Sequence, residues 1–316
     1  MQVDVNLCLM IEGQEGVTWS QWVELARACE DNGVPALFRS DHYLNLSDHP
    51  ERGSLEAWAT LCGLAAVTSR LRLGTMVSPT TFRHPSVLAK LATTADHVSG
   101  GRIDIGVGAG WHEREHEAYG LAFGTQRERT DILEEQLAIL VGSWRDEPFS
   151  FVGEHYVLHD LDAQPKPIQR PHPPLILGGN AGPRGARLAV QYADEYNTPE
   201  PTLDDVRVRR SRIDTACEQA GREPIPFSIM TPVLVGDGER DLRARAGRLG
   251  AMIDRDPGSL VREPPAGWLV GSVPRVAEQL IALRDAGVSR VLCAHLVHGD
   301  LEGVELIGRQ LAGQIA

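Results

Sequence analysis

The feature of this sequence that most restricts its fold is a rhythm. Short runs of β-branched and apolar residues alternate with longer amphipathic segments along the whole chain. Strands are predicted over residues 3–11, 35–39, 71–78, 102–108, 175–179, 193–197, 227–235 and 289–294. Between and after them the apolar spacing predicts helices over 19–31, 55–68, 85–100, 113–119, 127–144, 184–192, 203–220, 240–252, 274–286 and 301–315. Strands separated by helices pair in parallel through right-handed crossovers, because a twisted strand feeding a helix packs back onto its sheet in that hand alone. Eight such units, the last still a strand and a helix, favour a closed (β/α)8 barrel over an open doubly wound sheet. The expected fold is therefore α/β, a TIM barrel forming one domain over residues 1–316. Two stretches break the rhythm. Residues 145–174 carry a predicted hairpin (149–152 and 155–158 around Gly153-Glu154) and a proline-rich return, and residues 253–271 read as irregular. Both are expected as insertions beside the carboxyl-end face of the barrel.

Charge and composition narrow the partners. A formal net charge of −12 argues against nucleic acid or an anionic membrane. The first residues carry acids where a secretion signal needs bases, and no window approaches the roughly 20 apolar residues of a membrane span. A cytoplasmic protein is expected. Cys8, Cys29, Cys62, Cys217 and Cys293 are scattered without a CxxC pair, which reads as reduced thiols. Lys90 and Lys166 are the only lysines among 31 basic residues, a bias that commonly accompanies a GC-rich genome.

A barrel of this kind places its chemistry just past the strands' carboxyl ends. Those positions hold Met10-Ile11-Glu12, Ser40-Asp41-His42, Met76 to Pro79, Gly108 to His112 and Gly178-Gly179-Asn180. Glycine, amide-rich turn and apolar surface suit an extended aromatic cofactor better than a metal cluster. In Asp41-His42 a carboxylate stands next to an imidazole that it could orient and tune. Gly106 to Gly110 has GxGxG spacing and no acid closing a second strand, so it predicts close backbone approach to a ring or phosphate and not a Rossmann site. His112-Glu113-Arg114-Glu115-His116 matches the zinc motif HExxH, but it begins where a helix starts, so it is expected to be a chance match that binds no metal. Gly178 to Arg184 combines flexible backbone, a helix start and an arginine, the parts of a phosphate cradle.

Together the stretches ALFRSDHY (36–43), SRLRLGTMVSPTTFRHPSVLAK (69–90), GGRIDIGVGAGWHEREHEAYG (100–120), QPKPIQRPHPPLILGGN (164–180) and QYADEYN (191–197) resemble the luciferase-like monooxygenase superfamily. The resemblance covers nearly the whole chain and points to the branch that uses the deazaflavin coenzyme F420. It implies that Asp41 contacts the deazaflavin ring and that His42 transfers the proton. It implies a non-prolyl cis peptide at Met76-Val77 supporting one face of the ring, a turn beside the cofactor's side chain at Gly108, Gly110 and Glu115, and a phosphate-binding turn at Gly178, Gly179 and Asn180. The sugar-phosphate dehydrogenases of the family carry Glu where this chain has Trp111, so an apolar or aromatic substrate is expected instead. The expected activity is hydride transfer between F420 and a small-molecule substrate in a homodimeric enzyme, with an FMN-dependent monooxygenase as the alternative. An HExxH metallohydrolase and a non-enzymatic binding subunit are the rivals from other classes.

Overall fold

A computed structural model describes residues 5–46, 49 and 51–315, so Val3 and Asp4 of the first predicted strand lie outside the described residues. Eight strands form the barrel: β1 (Asn6–Ile11), β2 (Ala36–Arg39), β3 (Arg72–Thr75), β4 (Ile103–Gly108), β5 (Leu175–Gly178), β6 (Glu195–Pro199), β7 (Phe227–Gly236) and β8 (Arg290–Ala294). Each pairs in parallel with the next. The barrel closes where β8 returns to β1, with Arg290 opposite Asn6 and Ala294 opposite Met10. The expected (β/α)8 barrel is the observed fold.

Around it run α1 (Trp19–Asp31), α2 (Ala57–Val67), α3 (Pro85–Ser99), α4 (Gln126–Ser143), α5 (Pro183–Tyr192), α6 (Leu203–Gln219) and α7 (Val273–Asp285). The ring ends in α8, which runs Leu301–Glu305, passes through a π-helical turn at Leu306–Leu311 and finishes Ala312–Ile315. Several starts are legible in the chain: Thr18, Thr125 and Thr202 each form a capping box with the side chain three residues on.

Alternation along the strands sorts two apolar layers. Leu7, Leu9 and Ile11 face outward and pack with Trp22 and Leu25 of α1. Cys8 and Met10 face the barrel interior with Phe38, Ile176 and Leu292. Because both faces are covered, the strands read as nearly continuous apolar runs. The amino end of the interior is closed by charge. Arg290 reaches Asp104 at 3.1 Å and Glu195 at 3.2 Å, and Arg72 pairs with the same Asp104. The free end is therefore the carboxyl end.

The two insertions differ from expectation. Residues 253–271 are not irregular throughout: they hold a helix, Pro257–Arg262, and a strand, Leu269–Ser272, that extends the sheet along the outer half of β7. This segment comes after the helix Glu239–Ile253 that follows β7, and the pairing of its strand with Val233–Gly236 places it at the carboxyl-end face. The hairpin (Phe149–Val152 with Val157–Leu161) links α4 to β5, which roots both its ends at the opposite face. Its second strand starts two residues later than predicted, because Glu135 on α4 accepts hydrogen bonds from the backbone N–H groups of Glu154, His155 and Tyr156 and holds them in the turn. Among the described residues no helix is long and apolar enough to cross a membrane.

Candidate active site

The floor of the open end is a backbone bulge. After β3 the Met76–Val77 peptide is cis, as the resemblance implied, and Ser78–Pro79 then resumes pairing beside Val107 and Gly108 of β4. Met76 drops into the interior layer with Phe38 and Ile176. Val77 lies across the neighbouring strands. A Cβ on Gly108 would stand 2.7 Å from Val77 Cγ2, one on Gly178 would stand 2.9 Å from Val77 Cγ1, and one on Gly106 would stand 2.1 Å from the Thr75 carbonyl oxygen. The protein's own bulge makes a close approach to Gly106 and Gly108. Gly110 has φ +77°, a left-handed turn that directs the chain to Trp111.

Beside the bulge the chain beyond β2 presents Asp41 and His42, which face different partners. Asp41 is buried, and its carboxylate accepts from Ser78 Oγ (2.7 Å) and from both terminal nitrogens of Arg83 (2.6 and 3.1 Å). Trp58 Nε1 donates to the same Ser78 hydroxyl at 3.1 Å, and Arg83 also pairs with Glu56. Asp41 is therefore spent on a protein network, and it does not orient His42 as their adjacency suggested. Glu115 does. Its carboxylate is fully buried, with Oε2 2.8 Å from His42 Nδ1 while Oε1 accepts from the Leu44 N–H (2.8 Å) and the Tyr43 N–H. The resemblance set Glu115 beside the cofactor's side chain; the structure turns it onto the imidazole.

Burial works against a charged His42, but the hydrogen bond and negative charge of Glu115, helped by Glu12 and Asp41, raise its pKa above the ordinary histidine value. Burial likewise opposes ionisation of Glu115, yet the His42 hydrogen bond and the two N–H donors hold its pKa below the usual carboxylate value. His42 Nε2 has no protein partner among the described residues and is not a buried orphan, which leaves it open to the cleft. The ring meets Trp111 edge-on with centroids 5.7 Å apart, and Trp111 itself is 61% exposed.

The remaining predicted residues sort as follows. His112 lies before the helix Glu113–Tyr119 as its N-cap, while both ring nitrogens of His116 are engaged, by Thr81 Oγ1 (2.6 Å) and by the His112 carbonyl (2.8 Å). The HExxH histidines accordingly do not share the helical face that zinc chemistry needs. Gly178, Gly179 and Asn180 form the turn into α5, whose amino end has no side-chain cap. Arg184 is not free to complete a phosphate cradle, because Asp131 and Glu134 hold it. Sequence reasoning missed Arg39 and Arg83. Arg39 is fully buried, lies 4.8 Å from the centre of the Trp22 ring, donates to the Leu55 carbonyl at 2.8 Å, and has its pKa pushed down to about 10 by burial. It also missed His295 and His298 after β8, both buried with an Nε2 that has no hydrogen-bond partner among the described residues.

A closed (β/α)8 barrel whose open end carries a cis-peptide bulge, glycine turns and a carboxylate-held histidine is an enzyme-like scaffold. The chain belongs to the luciferase-like monooxygenase family, whose profile matches residues 7–290. It is 28% identical over 278 residues to the FMNH2-dependent dimethylsulfone monooxygenase of Pseudomonas putida, covering 78% of this chain and 75% of that protein. It is also 28% identical over 277 residues to the F420-dependent hydroxymycolic acid dehydrogenase of Mycobacterium tuberculosis, covering 83% of this chain and 75% of that one. Among solved structures, an F420-dependent secondary alcohol dehydrogenase in complex with an F420–acetone adduct shares the fold over the full length of both chains, with a TM-score of 0.83 at 19% identity. The relatives thus include both an FMNH2-dependent monooxygenase and an F420-dependent dehydrogenase.

Proposed function

We propose that this chain transfers a hydride between coenzyme F420 and a small apolar or aromatic organic substrate, with His42 carrying the accompanying proton. The observation that supports it most is the Glu115-held His42, an ionisable group with Nε2 open to the cleft beside exposed Trp111. When bound, the cofactor would supply the hydride acceptor or donor. The bulge at Met76 and Val77 and the turn at Gly108 to Gly110 offer a planar, largely apolar support suited to a ring. Gly178, Gly179 and Asn180 lead into the uncapped amino end of α5, where first-turn N–H groups suit an anionic side chain. His42 gives or takes the proton at Nε2, and the exposed Trp111 ring beside it favours apolar or planar substrates.

The second reading, an FMN-dependent monooxygenase on the same barrel, is favoured by the dimethylsulfone monooxygenase, which is as similar as the F420-dependent relative. Absorbance titration of the protein with F420 and, separately, with FMN tests the choice. Tighter binding of F420 is expected. Micromolar FMN binding with no F420 binding overturns the first reading in favour of the second.

A further inference from the structure

We infer that Glu115 is the positioning residue for His42: its carboxylate fixes which ring nitrogen carries hydrogen and keeps the other directed at the reacting atoms. The inference rests on the proposed proton transfer for its catalytic meaning, but its physical content stands on geometry alone. Oε2 lies 2.8 Å from His42 Nδ1, and an ionised carboxylate only accepts hydrogen bonds, so Nδ1 must donate. The neutral ring then bears its hydrogen on Nδ1 and presents a lone pair at Nε2, while the charged ring presents an N–H there. The same carboxylate accepts from the backbone N–H groups of Tyr43 and Leu44. One buried group thereby fixes both the imidazole and the segment that follows it.

The charged and titratable groups around His42 come from several elements. Glu12 follows β1, Asp41 precedes His42 itself, and His112 and Glu115 come from the segment after β4. Asp41 is also paired with Arg83. His112 meets the ring edge-on at 5.9 Å between centroids. Glu115 is the carboxylate hydrogen-bonded to the imidazole, and removing its charge is expected to change His42 more than any other single substitution.

The test is nitrogen-15 NMR of the His42 ring across pH in wild type, Glu115→Gln and Glu115→Asp, with pH–rate profiles of the same proteins. In wild type, above its pKa, His42 is expected as the Nδ1–H tautomer. That measurement needs no variant to fold. In Glu115→Gln the side-chain carbonyl can still accept from Tyr43 and Leu44, yet His42 should titrate at lower pH, and the limb of the rate profile that follows it should move the same way. Glu115→Asp should restore part of both shifts. Turnover in Glu115→Gln should fall by no more than the roughly 10²–10⁴-fold expected from losing a general acid altogether. A neutral His42 protonated at Nε2, or an unmoved His42 titration in folded Glu115→Gln, overturns the inference. If the NMR behaves as expected while His42→Ala keeps full turnover, the proposed function fails and the positioning role stands.

Discussion

Val77 fills the space that a side chain on Gly108 would need: a Cβ there would lie 2.7 Å from Val77 Cγ2. The contact joins the bulge after β3 to the end of β4, which makes the two segments one rigid surface beneath the cleft. Gly108→Ala should therefore destabilise the protein by about 1–3 kcal/mol, the usual cost of overpacking. Shortening the intruding side chain should relieve it. The double variant Gly108→Ala/Val77→Ala is expected to lose less stability than the sum of the single losses, as read by urea denaturation. Strictly additive losses would show that the two residues do not press on each other.

Asp41 behaves in this structure as the buried half of an ion pair, with Arg83 only 9% exposed on the other side. Removing one member of such a pair leaves the other charge stranded, at about 3–5 kcal/mol, moderated here because Glu56 also reaches Arg83. Asp41→Asn should thus lower the denaturation midpoint first, and any loss of cofactor affinity should follow from a smaller folded fraction. Weakened F420 or FMN binding in a fully stable Asp41→Asn protein would instead return Asp41 to the cofactor, as the family resemblance implied.

The barrel was legible because period-two strands and 3.6-residue helices leave different marks, and all eight predicted strands correspond to barrel strands. The partners inside the site were not. Asp41 and His42 hydrogen-bond to different partners despite their adjacency. Their true partners stand 42 and 73 residues away, at Arg83 and Glu115. Closure of the barrel sets those distances, and no local pattern carries them. The helix Pro257–Arg262 was legible in principle, since Asp256 caps it and Pro257 starts it, a pair of signals that marks a helix start.

His42→Ala should lower turnover by about 10²–10⁴-fold, the usual contribution of a positioned general acid or base. Cofactor affinity should stay within a few-fold, since Nε2 faces the cleft as a single polar atom and the bulge and glycine turns remain. Because the folded pKa of His42 is raised, activity that needs the protonated ring should persist above the ordinary histidine range near about 6.5. The same shift contributes stability that is fully present below that range and disappears as pH rises through the folded value. Steady-state kinetics and fluorescence titration of the variant check the first two points; unchanged turnover removes His42 from the chemistry.

His298 should act on stability with the opposite sign. Burial, then the neighbouring His295, pushes its pKa down to about 4; Arg52 lowers it further and Glu15 opposes. An unfolded histidine titrates near about 6.5, so between that value and the folded one the unfolded chain binds a proton that the native state refuses. Stability should fall as pH drops through this window, by about 3 kcal/mol from this residue, and its contribution should level off below the folded value. Carboxylates titrate in the same range, so the informative quantity is the difference between proteins. His298→Phe retains an aromatic ring and removes the titration; it should lose less stability than wild type between pH 7 and pH 4 in urea denaturation, by about that amount. Parallel stability curves for the two proteins would mean that His298 takes up its proton in the folded state as readily as in the unfolded one.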